Sequence, residues 1–271
     1  MSHHSAEKRA INITDISKAK LNGKKISMIT CYDSAFGRII ESSEIDMVLV
    51  GDSLGNVVLG YESTIPVTIG DMVHHTKAVS RVCRRPFLVA DMPFLSYTST
   101  EQAVENARKL VQDGGASAVK LEGGSAILPQ VQRLVELGIP VMGHLGLKPQ
   151  SVNLVGGYKV QAKEPEAQKT LIEEALLLQK AGVFAIVFEM IPSTLAEQVT
   201  KKLNVPTIGI GAGPHCDGQV LVLHDMLGFV PDFNPKFLKK YANLAETVKQ
   251  SIQHYCDDVK TGVFPAGENS F

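Results

Sequence analysis

A single-domain (β/α)8 barrel with a short N-terminal helix is the α/β fold that this 271-residue sequence predicts, on three observations. Short apolar runs bounded by glycine, proline or charge recur along the chain, as strands buried on both faces do. Stretches of helical period separate them with short joins, and parallel strands need such crossovers. The runs number eight, which closes most naturally into a barrel, and such barrels commonly run ~250 residues as one domain. An open doubly wound sheet is the other arrangement that the same alternation permits.

The elements follow in order. The opening MSHHSAEKRA is polar, so 1–10 are expected to be flexible, and the helical pattern at 14–21, capped by Thr14 or Asp15, suits the bottom of a barrel. Strand-like runs occupy 26–30, 47–50, 87–90, 118–121, 140–143, 184–188, 207–210 and 220–223. Helical patterns lie between them at 34–42, 69–82, 100–112, 127–137, 166–181 and 195–203. The eighth unit is the least regular, because a Pro-containing stretch follows 220–223 before a helix around 235–254. The connection 145–164, with Gly156, Gly157 and Lys159, exceeds the usual βα-loop length and reads as a lid over the strand ends. The tail TGVFPAGENSF is irregular.

Bulk properties narrow the function classes. The chain is 44% hydrophobic and 20% charged, enough for a large core, and no apolar run approaches the ~18 residues of a membrane span. A start without a hydrophobic signal makes the cytoplasm the expected location. A net charge of -1 without a basic cluster argues against nucleic acid and favours small polar substrates. Cys31, Cys83, Cys216 and Cys256 are scattered without CxxC spacing, so reduced thiols are expected.

The chemistry concentrates at strand ends. Asp52, Asp91 and Glu122 close the apolar segments MVLVGD, FLVAD and AVKLE. Acids converging there repel one another unless a cation neutralises them, and their hard oxygens suit Mg2+. For each acid alone the competing reading is a cap on the following helix. Lys120 and Glu122 are two residues apart and share a strand face. Lys120 is either a Schiff-base nucleophile or a cation for an anionic substrate. The adjacent carboxylates favour the cation, because they keep the amine protonated. A structural ion pair with Glu122 is the third possibility. Glu189 ends VFAIVFE across the barrel and suits a general base, with a helix cap as the alternative. His144 in VMGHLG faces the same rim or is a satisfied core histidine. Ser53 and Gly55 offer a hydroxyl and a backbone donor to a carboxylate. The segment 209–213, GIGAG, lacks the full dinucleotide pattern and reads as close backbone approach to a ligand. The adjacent His74 and His75 cannot share a helix face as paired ligands would, and suit a surface or helix-packing role. No HExxH motif or Cys/His quartet suggests zinc.

The segments TCYDSAFGRI, VGDSLG, STIPVTIGDMVHHTKAV, LVADMPFLSY, AVKLEGG, GHLGLKPQSVN, GGYKVQ, GIGAG and DGQVLVLHD together resemble the ketopantoate hydroxymethyltransferase family over nearly the whole chain. That resemblance implies a TIM barrel assembled as a decamer of two pentameric rings and acting in pantothenate biosynthesis. It implies Mg2+ held by Asp52, Asp91 and Glu122. It further implies contact of Asp52, Ser53, Asp91 and Lys120 with a 2-oxo acid, His144 lining the pocket, and Glu189 as the proton acceptor. A reduced folate, 5,10-methylenetetrahydrofolate, is the implied co-substrate, with no motif marking its pocket. Two rivals remain: a Mg-dependent lyase or mutase of the isocitrate lyase type, whose KKCG-like motif the chain lacks, and a catalytically silent barrel, in which Lys120 or Glu189 would be the first loss.

Overall fold

The computed structural model describes residues 9–151 and 159–271. The chain divides into two compact units, 1–221 and 222–271, and the barrel lies wholly in the first. Eight parallel strands close in sequence order: β1 (Ile26–Thr30), β2 (Met47–Val50), β3 (Phe87–Asp91), β4 (Ala118–Glu122), β5 (Val141–Gly146), β6 (Ala185–Glu189), β7 (Thr207–Ile210) and β8 (Gly218–Leu221). The expected closed barrel is therefore the observed one. Closure is made by β1 on β8, with Ile26 opposite Gly218. Only glycine allows this approach, because a Cβ at 218 would strike the carbonyl of Ile26.

Short polar caps start four of the described α-helices. Asn12 and Asp15 form a reciprocal capping box on α1 (Ile13–Leu21), Asp33 caps α2 (Ser34–Glu41), and a four-residue α3 (Leu54–Val57) follows β2. Thr68 and Asp71 form a second box on α4 (Ile69–Ser80), and Ser99 caps α5 (Thr100–Arg108), which runs into a π turn at Lys109–Asp113. A 3-10 turn, Ser125–Ile127, leads into α6 (Leu128–Glu136), whose second residue is Pro129. α7 (Pro165–Lys180) and α8 (Ser193–Lys202) complete the helices of this unit.

Period-2 alternation sends one row of each strand inward. Met28, Met47, Leu49, Phe87, Val89, Ala118, Met142, Ala185, Val187, Ile208 and Val220 pack together in the barrel core. Ile16 of α1 joins that cluster at 2% exposure, with Ile11, Ile13 and Ala19 against it. α1 is therefore the expected plug. Its Lys20 ammonium meets Asp217 at 2.7 Å, and the same Asp217 oxygen accepts from the backbone N–H of Thr207 at 2.8 Å. One carboxylate thus ties the plug to β7.

Several boundaries differ from the sequence reading, each for a local reason. Asn12 caps α1, and Asp15 supplies the returning arm at the third position instead of the cap. Asp91 and Glu122 are the last residues of their strands, and β5 extends through His144 to Gly146, because backbone pairing with the neighbouring strands continues past the apolar run. β8 starts two residues earlier than 220, where Gly218 permits contact with β1. Residues 211–217 join β7 to β8 without a helix, so the strict alternation fails there. Gly211 and Gly213 adopt φ of 65° and 79° in this turn. Of the expected lid, Gly156 and Gly157 lie outside the described residues, and Lys159 is exposed. Residues 1–8 of the polar start likewise lie outside them.

The second unit contains a one-turn α9 (Leu223–Met226) and the 18-residue α10 (Leu244–Thr261). The helix expected around 235–254 begins nine residues later, since Pro235 starts a turn closed by the Leu238 N–H on its carbonyl. Gly262, at φ 75°, ends α10 in the left-handed conformation.

Replacing Ile16 with alanine removes apolar contact at the end of the barrel opposite the strand C-termini. Urea denaturation of Ile16→Ala is expected to show a loss of about 2–5 kcal/mol, and a loss below about 0.5 kcal/mol would mean that α1 is not a plug.

Candidate active site

The inward rows that build the core continue upward into polar residues. Phe87 and Val89 are followed two residues later by Asp91, Ala118 by Lys120 and Glu122, Met142 by His144, and Ala185 and Val187 by Glu189. Register aligns them laterally: Asp91 pairs with Lys120, Glu122 with His144, and Gly146 with Glu189. Gly146 has φ 95°, and a Cβ there would collide with the carbonyl of Glu189. Asp52 enters from the turn after β2, its N–H donating to Asp91 Oδ2 at 3.1 Å.

These groups are packed and nearly dry. Asp52, Asp91, Lys120, Glu122 and His144 are all buried. Lys120 Nζ lies 3.0 Å from Asp91 Oδ1 and 3.1 Å from His144 Nδ1. His144 Nδ1 is 3.4 Å from Glu122 Oε1, and its Nε2 is 3.3 Å from Glu189 Oε2. Nδ1 thus sits between the Lys120 ammonium and Glu122, while Nε2 faces Glu189. The two glutamates nevertheless outweigh burial and Lys120, and raise the proton affinity of His144.

Electrostatics decide what this arrangement can hold. Burial, then repulsion from Asp91 and Glu122, pushes the Asp52 carboxyl well above the usual carboxylate range. Burial also raises Asp91, and Lys120 offsets only part of that rise. Burial acts on Glu122 too, but His144, Lys120 and the Gln150 N–H outweigh it and hold its carboxyl low. Burial opposes the ammonium of Lys120, yet Asp91, Glu122 and Asp52 overcome it and raise the Lys120 pKa. The amine is held as a cation, which removes the Schiff-base reading.

Three buried carboxylates face one buried ammonium; Asp91 Oδ1 is paired with Lys120, and Glu122 Oε1 has no hydrogen-bonding partner among the described residues. A small hard cation fits that deficit. Among the described residues no three His, Cys, Asp or Glu side chains already stand at ion-enclosing spacing.

The remaining expected residues are distributed unevenly. Ser53 Oγ lies 2.8 Å from the Tyr32 hydroxyl at the rim after β2. The Gly55 N–H is already spent on the Asp52 carbonyl at 2.9 Å, so it is not a free donor. In 209–213, Gly209 packs against Cys216 and Gln219, and Gly213 against Ser193, which accounts for these glycines by close packing without a ligand. His74 is exposed, while His75 Nδ1 meets the Tyr32 carbonyl at 2.6 Å, the packing role expected. All four cysteines are free.

Two participants carry no signal in periodicity or charge. Gln150, in a 3-10 turn after β5, donates from its N–H to Glu122 Oε2 at 3.2 Å and from Nε2 to Asp52 Oδ2 at 2.8 Å. Tyr97 contacts Gln150 Oε1 at 2.7 Å. Both sit in irregular segments where neither period nor charge marks them. Their place within the family-like stretches HLGLKPQ and DMPFLSY is the available clue.

Comparison with known proteins bears on the family and the fold. The family model described as ketopantoate hydroxymethyltransferase matches residues 10–267. A relative from Acetivibrio thermocellus named 3-methyl-2-oxobutanoate hydroxymethyltransferase is 54% identical over 94% of this chain and 90% of its own length. One of the same name from Thermoanaerobacter sp. (strain X514) is 54% identical over 96% of both chains. Among solved structures, a phosphonopyruvate hydrolase with oxalate and Mg++ aligns at TM-score 0.61 and 11% identity, covering 96% of this chain and 93% of that one. A 2,3-dimethylmalate lyase of the PEP mutase/isocitrate lyase superfamily aligns at 0.59 and 14%, covering 96% and 91%. At such identities these two share the fold.

The sign of one electrostatic effect is testable. An acid whose folded pKa is raised binds its proton more tightly folded than unfolded, so its ionisation removes stability as pH climbs from about 4 through the raised value. At pH 7.5 without divalent ions, Asp52→Asn is expected to melt higher than wild type by a few degrees, roughly 1 kcal/mol. A lower melting temperature would show that the hydrogen bonding of Asp52 outweighs the repulsion among the acids.

Proposed function

The chain belongs to the ketopantoate hydroxymethyltransferase family, and from that premise we propose that it transfers a hydroxymethyl group from 5,10-methylenetetrahydrofolate to 3-methyl-2-oxobutanoate, giving 2-dehydropantoate for pantothenate and coenzyme A biosynthesis. The observation that carries the reading is the buried Lys120 ammonium outnumbered by three buried carboxylates, with Glu189 two strands away on β6 and joined to them through His144, which overturns its expected place across the barrel. An anionic 2-oxo acid meets a fixed cation there, and its carbon acid meets a base.

Lys120 would pair with the substrate carboxylate, and its charge is maintained by Asp91, Glu122 and Asp52. Ser53, its hydroxyl oriented by Tyr32, would contact the same anion. Asp52 and Asp91 would contact substrate as well as hold Mg2+ together with Glu122. Mg2+, when bound, would supply Lewis-acid polarisation of the 2-oxo group and make the C3 proton more acidic. Glu189, only 16% exposed and 3.3 Å from His144 Nε2, would take that proton. His144 lines the pocket and steadies the glutamate. C3 then bonds to the one-carbon unit of the folate, water supplies the hydroxyl, both carbon–nitrogen bonds to the folate break, and tetrahydrofolate leaves with the C3 proton and one proton from water on its two nitrogens. The folate provides the one-carbon chemistry while the protein orients and excludes water.

Family membership also underlies a proposed decamer of two pentameric rings and a cytoplasmic location. No described helix is long and apolar enough to cross a membrane. The lyase or mutase alternative rests on fold alone, at 11–14% identity for the structures above against 54% for the transferases.

Glu189→Gln is expected to leave substrate binding nearly intact while slowing solvent deuterium exchange at C3 by about 10²–10⁴-fold, as followed by proton NMR; retained exchange would remove the base assignment. Formation of 2-dehydropantoate from both substrates should stop in excess chelator and return with Mg2+. Turnover indifferent to chelation would overturn the role given to the three acids, and no product from metal-loaded protein would sink the transferase reading.

A further inference from the structure

Gln150 and Tyr97 stand behind the acids and connect them. Gln150 is 5% exposed and uses every part of its amide. Its Nε2 donates to Asp52 Oδ2 at 2.8 Å and to the Met92 carbonyl at 2.9 Å, and its backbone N–H donates to Glu122 Oε2 at 3.2 Å. One residue therefore claims one oxygen of Asp52, in the turn after β2, and one of Glu122, at the end of β4. The partner oxygen of Glu122, Oε1, is left without a hydrogen bond.

The orientation of that amide follows from Tyr97. The Tyr97 hydroxyl accepts from the Glu122 N–H at 3.3 Å, and its oxygen is nearer Gln150 Oε1, at 2.7 Å, than the Glu122 carbonyl, at 3.2 Å. A hydroxyl donating to Oε1 leaves the NH2 end toward Asp52. The flipped amide would set its carbonyl against a carboxylate and against the Met92 carbonyl, losing two hydrogen bonds and gaining two repulsions. Tyr97 is itself anchored, because Gln130 of α6 donates to its carbonyl at 3.2 Å. The order of dependence runs from α6 through Tyr97 and Gln150 to two acids at the barrel mouth.

We propose that Tyr97 and Gln150 form a positioning relay that fixes which oxygens of Asp52 and Glu122 remain free to receive a divalent cation. The inference rests on the cation reading above and adds residues outside the expected site set. Neither residue touches the reacting atoms. Their neutral hydrogen bonds orient two carboxylates without adding a fourth negative charge, as outer partners of metal ligands do elsewhere.

Two measurements test the relay. Calorimetric titration of Mg2+ into wild type, Tyr97→Phe, Gln150→Met and the double variant is expected to show about a tenfold or greater loss of affinity in each single variant. The double variant should lose no more than the worse single, because both changes break one chain. Unchanged affinity, or losses that multiply, would overturn the proposal, since two unrelated packing defects would act independently. A crystal structure of metal-free Tyr97→Phe is expected to show the Gln150 amide released from Asp52, and a retained 2.8 Å contact would likewise overturn it. Wild-type protein that takes up no Mg2+ would instead defeat the cation reading itself, leaving the crystal structure to decide the relay.

Discussion

Everything at the barrel mouth depends on how three buried carboxylates coexist with one ammonium. Lys120 lies against Asp91 and within the field of Glu122 and Asp52, and no apolar residue could replace it without leaving the acids uncompensated. Its charge is thus held by its surroundings, and its value to the site is electrostatic. The opposite shifts of Asp52 and Glu122 show the same balance acting on two similar groups. Asp52 has one weak donor and two acidic neighbours, whereas Glu122 has an imidazole, an ammonium and a backbone N–H. A metal-free site of this kind is under electrostatic strain, and a cation relieves it.

The barrel makes such a concentration of charge tolerable. Core residues from the strands, plugged below by Ile16, supply the apolar burial that offsets the cost of the polar layer above. Because the two layers belong to the same inward rows, the rigid packing of Val89, Ala118 and Val187 fixes the height of Asp91, Lys120 and Glu189. The site is a continuation of the core in different residue types. A phosphonopyruvate hydrolase and a 2,3-dimethylmalate lyase share this fold with the chain at low identity, so the fold by itself does not set the reaction.

Most of the fold is legible in the sequence because buried parallel strands are continuous apolar runs, and the acids are legible because charge at the end of such a run is costly. The start of β8 reads two residues late, since Gly218 and the exposed Gln219 carry no apolar signal while VLVL after them does. The last helix reads too early because Pro235 resembles a helix start, and only its local hydrogen bonding shows a turn. Gln150 and Tyr97 are invisible for a different reason. A neutral polar residue in an irregular turn becomes informative only when three dimensions reveal that its backbone N–H and its side-chain amide reach two different acids. Sequence periodicity reports which way a side chain points, and it is silent on what an amide side chain in a turn will reach.

The alternation that places Lys120 and Glu122 inside the barrel has an evolutionary corollary. Deleting a single residue from β4 below Lys120 would turn both outward and present Val119 and Leu121 to the mouth, so the chemistry is indexed by strand register. Substitutions can be explored one at a time, but changes of length within a strand exchange the catalytic face for the helix-facing one in a single step. Descendants of such a barrel can gain or lose residues freely only in the connections, and their diversity of length is exported to the loops.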